Sequence, residues 1–152
     1  MPNVTPITPA RVPIIDPDTG GVTRPWYMFF QSLYQNSLVY ILGSGNAVTQ
    51  LTSKSTGVTI DTVCGQVTLA ADSIAAGTSV SFTMTNSSIA ATDIVMVNAA
   101  NVAGLAPTAN TYSVSCDAVL DGSCRIQIRN ISGSAAAEAL VLNFAIIKAV
   151  NA

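Results

Sequence analysis

Eight carboxylates, three cysteines and six basic side chains, with no histidine at all, make up the reactive inventory of this chain. Lacking histidine, it has neither the commonest general base nor the commonest metal ligand, and no Ser–His or Cys–His nucleophile pair is available. The carboxylates (Asp16, Asp18, Asp61, Asp72, Asp93, Asp117, Asp121 and Glu138) are isolated or lie in turns, and none stand out as an acid and base pair poised across a sugar. Asp16-x-Asp18 in a glycine turn offers the opening oxygens of a calcium loop without the remaining ligands or the closing Glu. A turn built from Asx side chains accounts for it better. No Walker or dinucleotide glycine pattern occurs, and Arg125 and Arg129 read as a solvated strand face. The expectation is a protein that is not an enzyme and takes no cofactor and no metal.

Composition points the same way. Hydrophobic residues make up 49% and charged residues 9%, against a usual charged share of ~25%. Such a surface is poorly solvated on a lone copy, so apolar area outside the core is expected to be covered by other copies or by a host assembly. A net charge of −2 gives no footprint for phosphate neutralisation, which argues against nucleic-acid binding. No apolar run of spanning length and no basic-then-apolar leader is present, so neither membrane insertion nor secretion is expected. Synthesis and storage in a cytosol until assembly follow.

The elements divide the chain into four parts. Residues 1–23 hold five of the seven prolines and read as an extended arm, with a turn at Asp16–Gly21. Residues 24–42 read as an amphipathic helix, capped by Thr23, with Pro25 tolerated in its first turn. Trp26, Phe29, Phe30, Leu33 and Tyr34 fall at helical spacing on one stripe, and six of the nine aromatic residues lie between Trp26 and Tyr40. A short aromatic helix flanked by a proline-rich arm and a glycine hinge, residues 43–46, is suited to docking.

Residues 47–152 read as a β-sandwich, with short β-rich runs at intervals of roughly ten residues. Strands are expected near 57–61, 66–70, 79–85, 91–98, 110–118, 123–130 and 139–149, and 134–138 is expected as loop. In 79–85, Val80, Phe82 and Met84 share one face. The hairpin ending at Asp121-Gly122 must place Val114, Cys116 and Ala118 on the face of Cys124, Ile126 and Ile128. A three-residue loop with Gly122 in a left-handed bulge meets that condition, pairing Ala118 with Cys124 and Cys116 with Ile126. Cys116 and Cys124 are then diagonal neighbours at ~7–8 Å, beyond easy disulfide reach. With Cys64 they are expected as reduced thiols. The last strand is apolar on both faces. Leu140, Leu142, Phe144 and Ile146 suit the core, leaving Val141, Ala145 and Ile147 for a second layer or an oligomer interface.

Two stretches resemble a known family. Arg11-Val12-Pro13-Ile14-Ile15-Asp16-Pro17-Asp18-Thr19-Gly20, followed by Arg24-Pro25-Trp26-Tyr27-Met28-Phe29-Phe30, resembles the N-terminal anchor of small virion proteins of tailed bacteriophages. Ala47-Val48-Thr49-Gln50-Leu51-Thr52-Ser53-Lys54-Ser55-Thr56-Gly57-Val58-Thr59, with Ala91-Thr92-Asp93 and Leu142-Asn143-Phe144-Ala145-Ile146-Ile147-Lys148, is similar to a β-rich module of phage head fibres, capsid decoration proteins and some tail fibres. The resemblance implies a homotrimer located in the virion and assembled in the bacterial cytoplasm. The implied fold is an antiparallel, jelly-roll-like sandwich behind an arm and helix. The implied partner is the major capsid protein, reached through Pro13, Ile14, Trp26, Tyr27, Phe29, Phe30, Leu33 and Tyr34. The alternative is a tail-located adhesin for a host receptor or glycan, attached to tail or portal-proximal proteins. That reading needs an exposed platform, for which Tyr112 is the aromatic available outside the anchor and the inward strand positions.

Overall fold

Alternation of apolar and polar residues with period two drives the longer strands of the chain. The computed structural model describes residues 12–37, 44–102 and 107–149. The chain separates into two compact units, Met1–Ile41 and Leu42–Ala152.

The first unit contains helix α1, Arg24–Ser37. The second contains eight strands: β1 (Asn46–Thr49), β2 (Val58–Thr59), β3 (Cys64–Thr68), β4 (Ser79–Thr85), β5 (Ile94–Val102), β6 (Tyr112–Leu120), β7 (Ser123–Asn130) and β8 (Leu140–Ile147). They form two four-stranded sheets, ordered β1-β3-β8-β5 and β2-β4-β7-β6. The sheets are packed over a shared core that includes Val67, Leu142, Phe144 and Ile146 from the first and Phe82, Met84, Ile126 and Ile128 from the second. Both sheets are mixed. The pairs β1–β3 and β2–β4 run parallel and the rest antiparallel, which corrects the wholly antiparallel expectation.

Strands β4 and β7 occupy the expected residues because their alternation is uninterrupted: Phe82, Met84, Cys124, Ile126 and Ile128 are buried, and Arg125, Gln127 and Arg129 are exposed. Strand β1 went unforeseen. It offers one inward residue, Val48, and exists through its pairing with β3. Strand β5 starts later than expected because residues 90–93 form a turn. Asp93 N–H donates to the Ala90 carbonyl, and Ala90 N–H donates to Asp93 Oδ2. Residues 134–138 are loop, as expected, with Ala136 bridged to Ile74.

The β6–β7 register is the expected one over most of its length, with Cys116 opposite Ile126 and Val114 opposite Ile128. It is reached differently. Leu120 pairs Ser123 across a two-residue Asp121-Gly122 turn, and the register shifts between Asp117 and Leu120. The bulge therefore lies at Ala118, with a φ of 48°, not in a three-residue loop, and Ala118 does not pair Cys124. A bulge inside the strand restores the parity that a tight turn breaks. The three cysteines are reduced thiols, none of them in a disulfide. Those of Cys116 and Cys124 share a hydrogen bond that, with burial, pushes the Cys124 thiol up.

Gly65 shows how closely the first sheet is packed. It pairs Phe144, and a Cβ there would lie 3.0 Å from the Phe144 ring, 3.1 Å from Ile60 Cδ1 and well inside contact with the Asn46 carbonyl oxygen. Gly65→Ala is expected to destabilise the β unit by about 1–3 kcal/mol, read as a lower midpoint in urea unfolding. Gly133→Ala meets nothing within 4 Å and is expected to stay within ~0.5 kcal/mol of the parent.

Candidate docking surface

Titratable groups among the described residues are largely occupied in holding the fold. Lys54 is buried and its ammonium donates to the carbonyls of Ala70 (2.7 Å) and Asp72, with Asp72 Oδ1 at 3.5 Å. Burial lowers its pKa against the opposing pull of Asp72. Asp61 accepts the Ser87 N–H at 2.7 Å, and Asp121 accepts the Ala91 N–H at 2.8 Å. Asp117 holds Arg125 through two hydrogen bonds of 2.7 and 3.0 Å. Glu138 accepts the Tyr112 hydroxyl, and Tyr112 packs half-buried against the core. Among the described residues, no group of three or more His, Cys, Asp or Glu side chains is placed to hold a metal ion. No described helix is long and apolar enough to cross a membrane.

The first unit is built from hydrogen bonds to three successive carbonyls. Val12 accepts the Trp26 indole N–H at 2.8 Å, Pro13 accepts the Thr23 hydroxyl at 2.7 Å, and Ile14 accepts the Thr23 N–H at 2.9 Å. Asp16 organises the turn between these contacts. Its Oδ1 accepts the N–H groups of Asp18 (2.9 Å) and Thr19 (3.4 Å), and Gly20 takes a φ of 68°. An antiparallel bridge joins Ile15 to Val22. Residues 12–23 thus fold back as a small hairpin, where an extended arm was expected; residues 1–11 lie outside the described residues, as do 38–43 of the expected helix and hinge. Thr23 caps the helix through its carbonyl, which accepts the Tyr27 N–H at 2.9 Å. Its hydroxyl, expected to cap, holds the hairpin instead.

On α1, Trp26 and Phe29 are half-buried, with ring centroids 5.7 Å apart in an edge-on arrangement, and Phe30 lies 5.8 Å from each. Beyond this cluster the helix is apolar and open. Tyr27, Met28, Phe30, Leu33 and Tyr34 are 45 to 65% exposed, and Pro13, Ile14, Ile15 and Val22 on the hairpin are exposed beside them in sequence. Met28, Ile15 and Val22 were not among the residues expected to dock. A 14-residue helix with no acidic residue in its first turn and no basic one in its last has little intrinsic support. The hairpin's hydrogen bonds to Thr23 and Trp26 and the aromatic cluster supply it.

A second apolar area lies on the outward face of β1-β3-β8-β5. Val141 and Ala145 are half-exposed and Ile147 is exposed there, alternating with the buried Leu140, Leu142, Phe144 and Ile146 as expected. Ile94 and Met96, unremarked in the sequence, join them by register: Ile94 pairs Ile147 and Met96 pairs Ala145.

Compared with family models, with curated proteins and with solved structures, the chain matches none.

Two measurements check this geometry. Thr23→Val removes the hydroxyl that holds Pro13. The fluorescence of Trp26, the sole tryptophan, is then expected to shift to the red and to quench more readily with acrylamide. At the other unit, Asp93 accepts Lys148 Nζ at 2.5 Å and the N–H groups of Ala90 (2.8 Å) and Ala149 (3.4 Å). Burial opposes its ionisation, but these donors outweigh burial and hold the carboxyl below the usual range. A depressed carboxylate stabilises the fold above the unfolded-state value of ~3.9, and the contribution is lost as pH falls through the folded value. Unfolding midpoints are therefore expected to drop below about pH 4. Asp93→Asn is expected to cost about 1–3 kcal/mol at pH 7 and to make the acid loss shallower.

Proposed function

We propose that this chain is a non-enzymatic structural protein of a tailed-phage virion, a capsid decoration protein or head fibre. Its N-terminal unit docks on the capsid shell, and its β unit projects outward as part of a homotrimer. The observation that carries the reading is the exposed apolar surface of α1, tied to a hairpin through the Val12, Pro13 and Ile14 carbonyls. Such a surface is costly to leave in water. Each large side chain it buries on docking contributes about 1.5–3 kcal/mol before association costs. Three linked copies would turn modest contacts into lasting attachment.

The β unit supports the jelly-roll-like part of the reading. Successive strands β3, β4, β5 and β6 alternate between the sheets, while β7 and β8 return between them, giving the orders β3-β8-β5 and β4-β7-β6. Nested antiparallel pairs of this kind, β3 with β8 and β4 with β7, are what a rolled-up hairpin produces. The occupation of most described carboxylates by structural partners supports a role without catalysis. The half-buried Tyr112 gives the adhesin alternative no support.

The test is the number of copies per purified particle, by quantitative mass spectrometry against the major coat protein. Hundreds of copies in simple ratio to the coat are expected, and Phe30→Asp with Leu33→Asp is expected to reduce incorporation at least tenfold while the β unit stays folded by circular dichroism. A count of a few tens or fewer would move the protein to the tail or a vertex. Undiminished incorporation of the double variant would overturn docking through α1.

A further inference from the structure

We infer that the outward face of the β1-β3-β8-β5 sheet is where copies of this chain pack against one another. The inference rests on the multi-copy reading above and adds the surface, its layering and its limits.

The four strands of this sheet contain no charged residue. Register places their outward residues in layers. Ile94 lies beside Ile147, and the next layer is Met96, Ala145 and Cys64. Then comes a row of amides, Asn98, Asn143 and Gln66, in which Gln66 Nε2 donates to Asn143 Oδ1 at 3.0 Å. The last layer joins Val141 to Thr68. Ile94, Met96 and Ile147 are 48 to 57% exposed. At the apolar end, the charges next in sequence neutralise each other, Lys148 pairing with Asp93.

The opposite sheet is dressed for water. Its outward residues include Ser79, Ser81, Thr83, Arg125, Gln127 and Arg129, all on neighbouring strands. Two faces of one sandwich thus differ in kind, so composition alone does not explain the first.

A second copy suits the first face because an uncharged surface is complementary to itself. Each amide carries both a donor and an acceptor, so the row can meet its own likeness and fix the register of the contact. A charged or strongly polar partner would leave buried groups unpaired. Strands of four, five, eight and nine residues, at ~4.8 Å spacing and ~3.4 Å per residue, give a face on the order of 400 Å² in projection. Side-chain relief carries the accessible area toward the ~800 Å² per partner of a standard interface.

The experiment is native mass spectrometry and light scattering on the full chain, with particle incorporation measured in parallel. The parent protein is expected to be multimeric at micromolar concentration. Ile94→Glu with Met96→Glu is expected to give the mass of one chain with an unchanged β-sheet spectrum, since both side chains point away from the core. Thr83→Glu with Gln127→Glu, on the opposite face, is expected to keep the parent mass. A parent protein that is a single chain at tens of micromolar, or a face variant that keeps the parent mass, overturns the inference. Phe30→Asp with Leu33→Asp is expected to lose particles and keep its mass. If that variant dissociates while the face variant does not, the copies join through α1 and the inference fails independently of docking.

Discussion

Strand β8 has neighbours on both edges and the core on one face, and much of the β unit follows from seating it. Its inward residues Leu140, Leu142, Phe144 and Ile146 are buried, and its pairing fixes the register of β3 on one side and β5 on the other. Phe144 demands a glycine opposite, which Gly65 supplies, and that same bare backbone lets β1 approach closely enough to pair in parallel. The strand's end is closed by Lys148 reaching Asp93, whose carboxylate also ties the turn before β5. A central strand of this kind has no room for charge on its buried face and, here, carries none on the other.

The few charged and polar groups that enter the interior are satisfied by backbone. Asn130 donates to the carbonyls of Ile74 and Ser134 and accepts from Ser132, while Asn86 donates to Thr62 and accepts from Ser88. Lys54 satisfies two carbonyls that leave the sheet at the end of β3. No buried side-chain nitrogen or oxygen among the described residues lacks a partner. Polar groups in low dielectric are expensive to strand, so a chain with 9% charged residues keeps them in loops and on the exposed faces of β6 and β7. What remains for interaction is apolar surface.

That surface falls into two designs. On the N-terminal unit it is helical, aromatic and irregular, a shape suited to pockets on something else. On the β unit it is flat, layered and divided by an amide row, a shape suited to its own likeness. A single chemistry, exposed apolar area, is thus presented by the backbone in two different ways.

Strand identity was legible wherever period two ran unbroken, as in β4 and β7, because alternation is a property of neighbouring residues. So were the two faces of β8 and the aromatic stripe of α1. The bulge at Ala118, the existence of β1 and the role of Thr23 were not. Each depends on which distant backbone group arrives beside it: β7 for Ala118, β3 for β1, and Pro13 for the Thr23 hydroxyl. The sequence by itself determined that this chain is β-rich, poor in charge and without histidine. Only the tertiary structure decided that Ile94 and Met96 lie beside Ile147 and Ala145, since register between strands some fifty residues apart is set by the core they jointly fill.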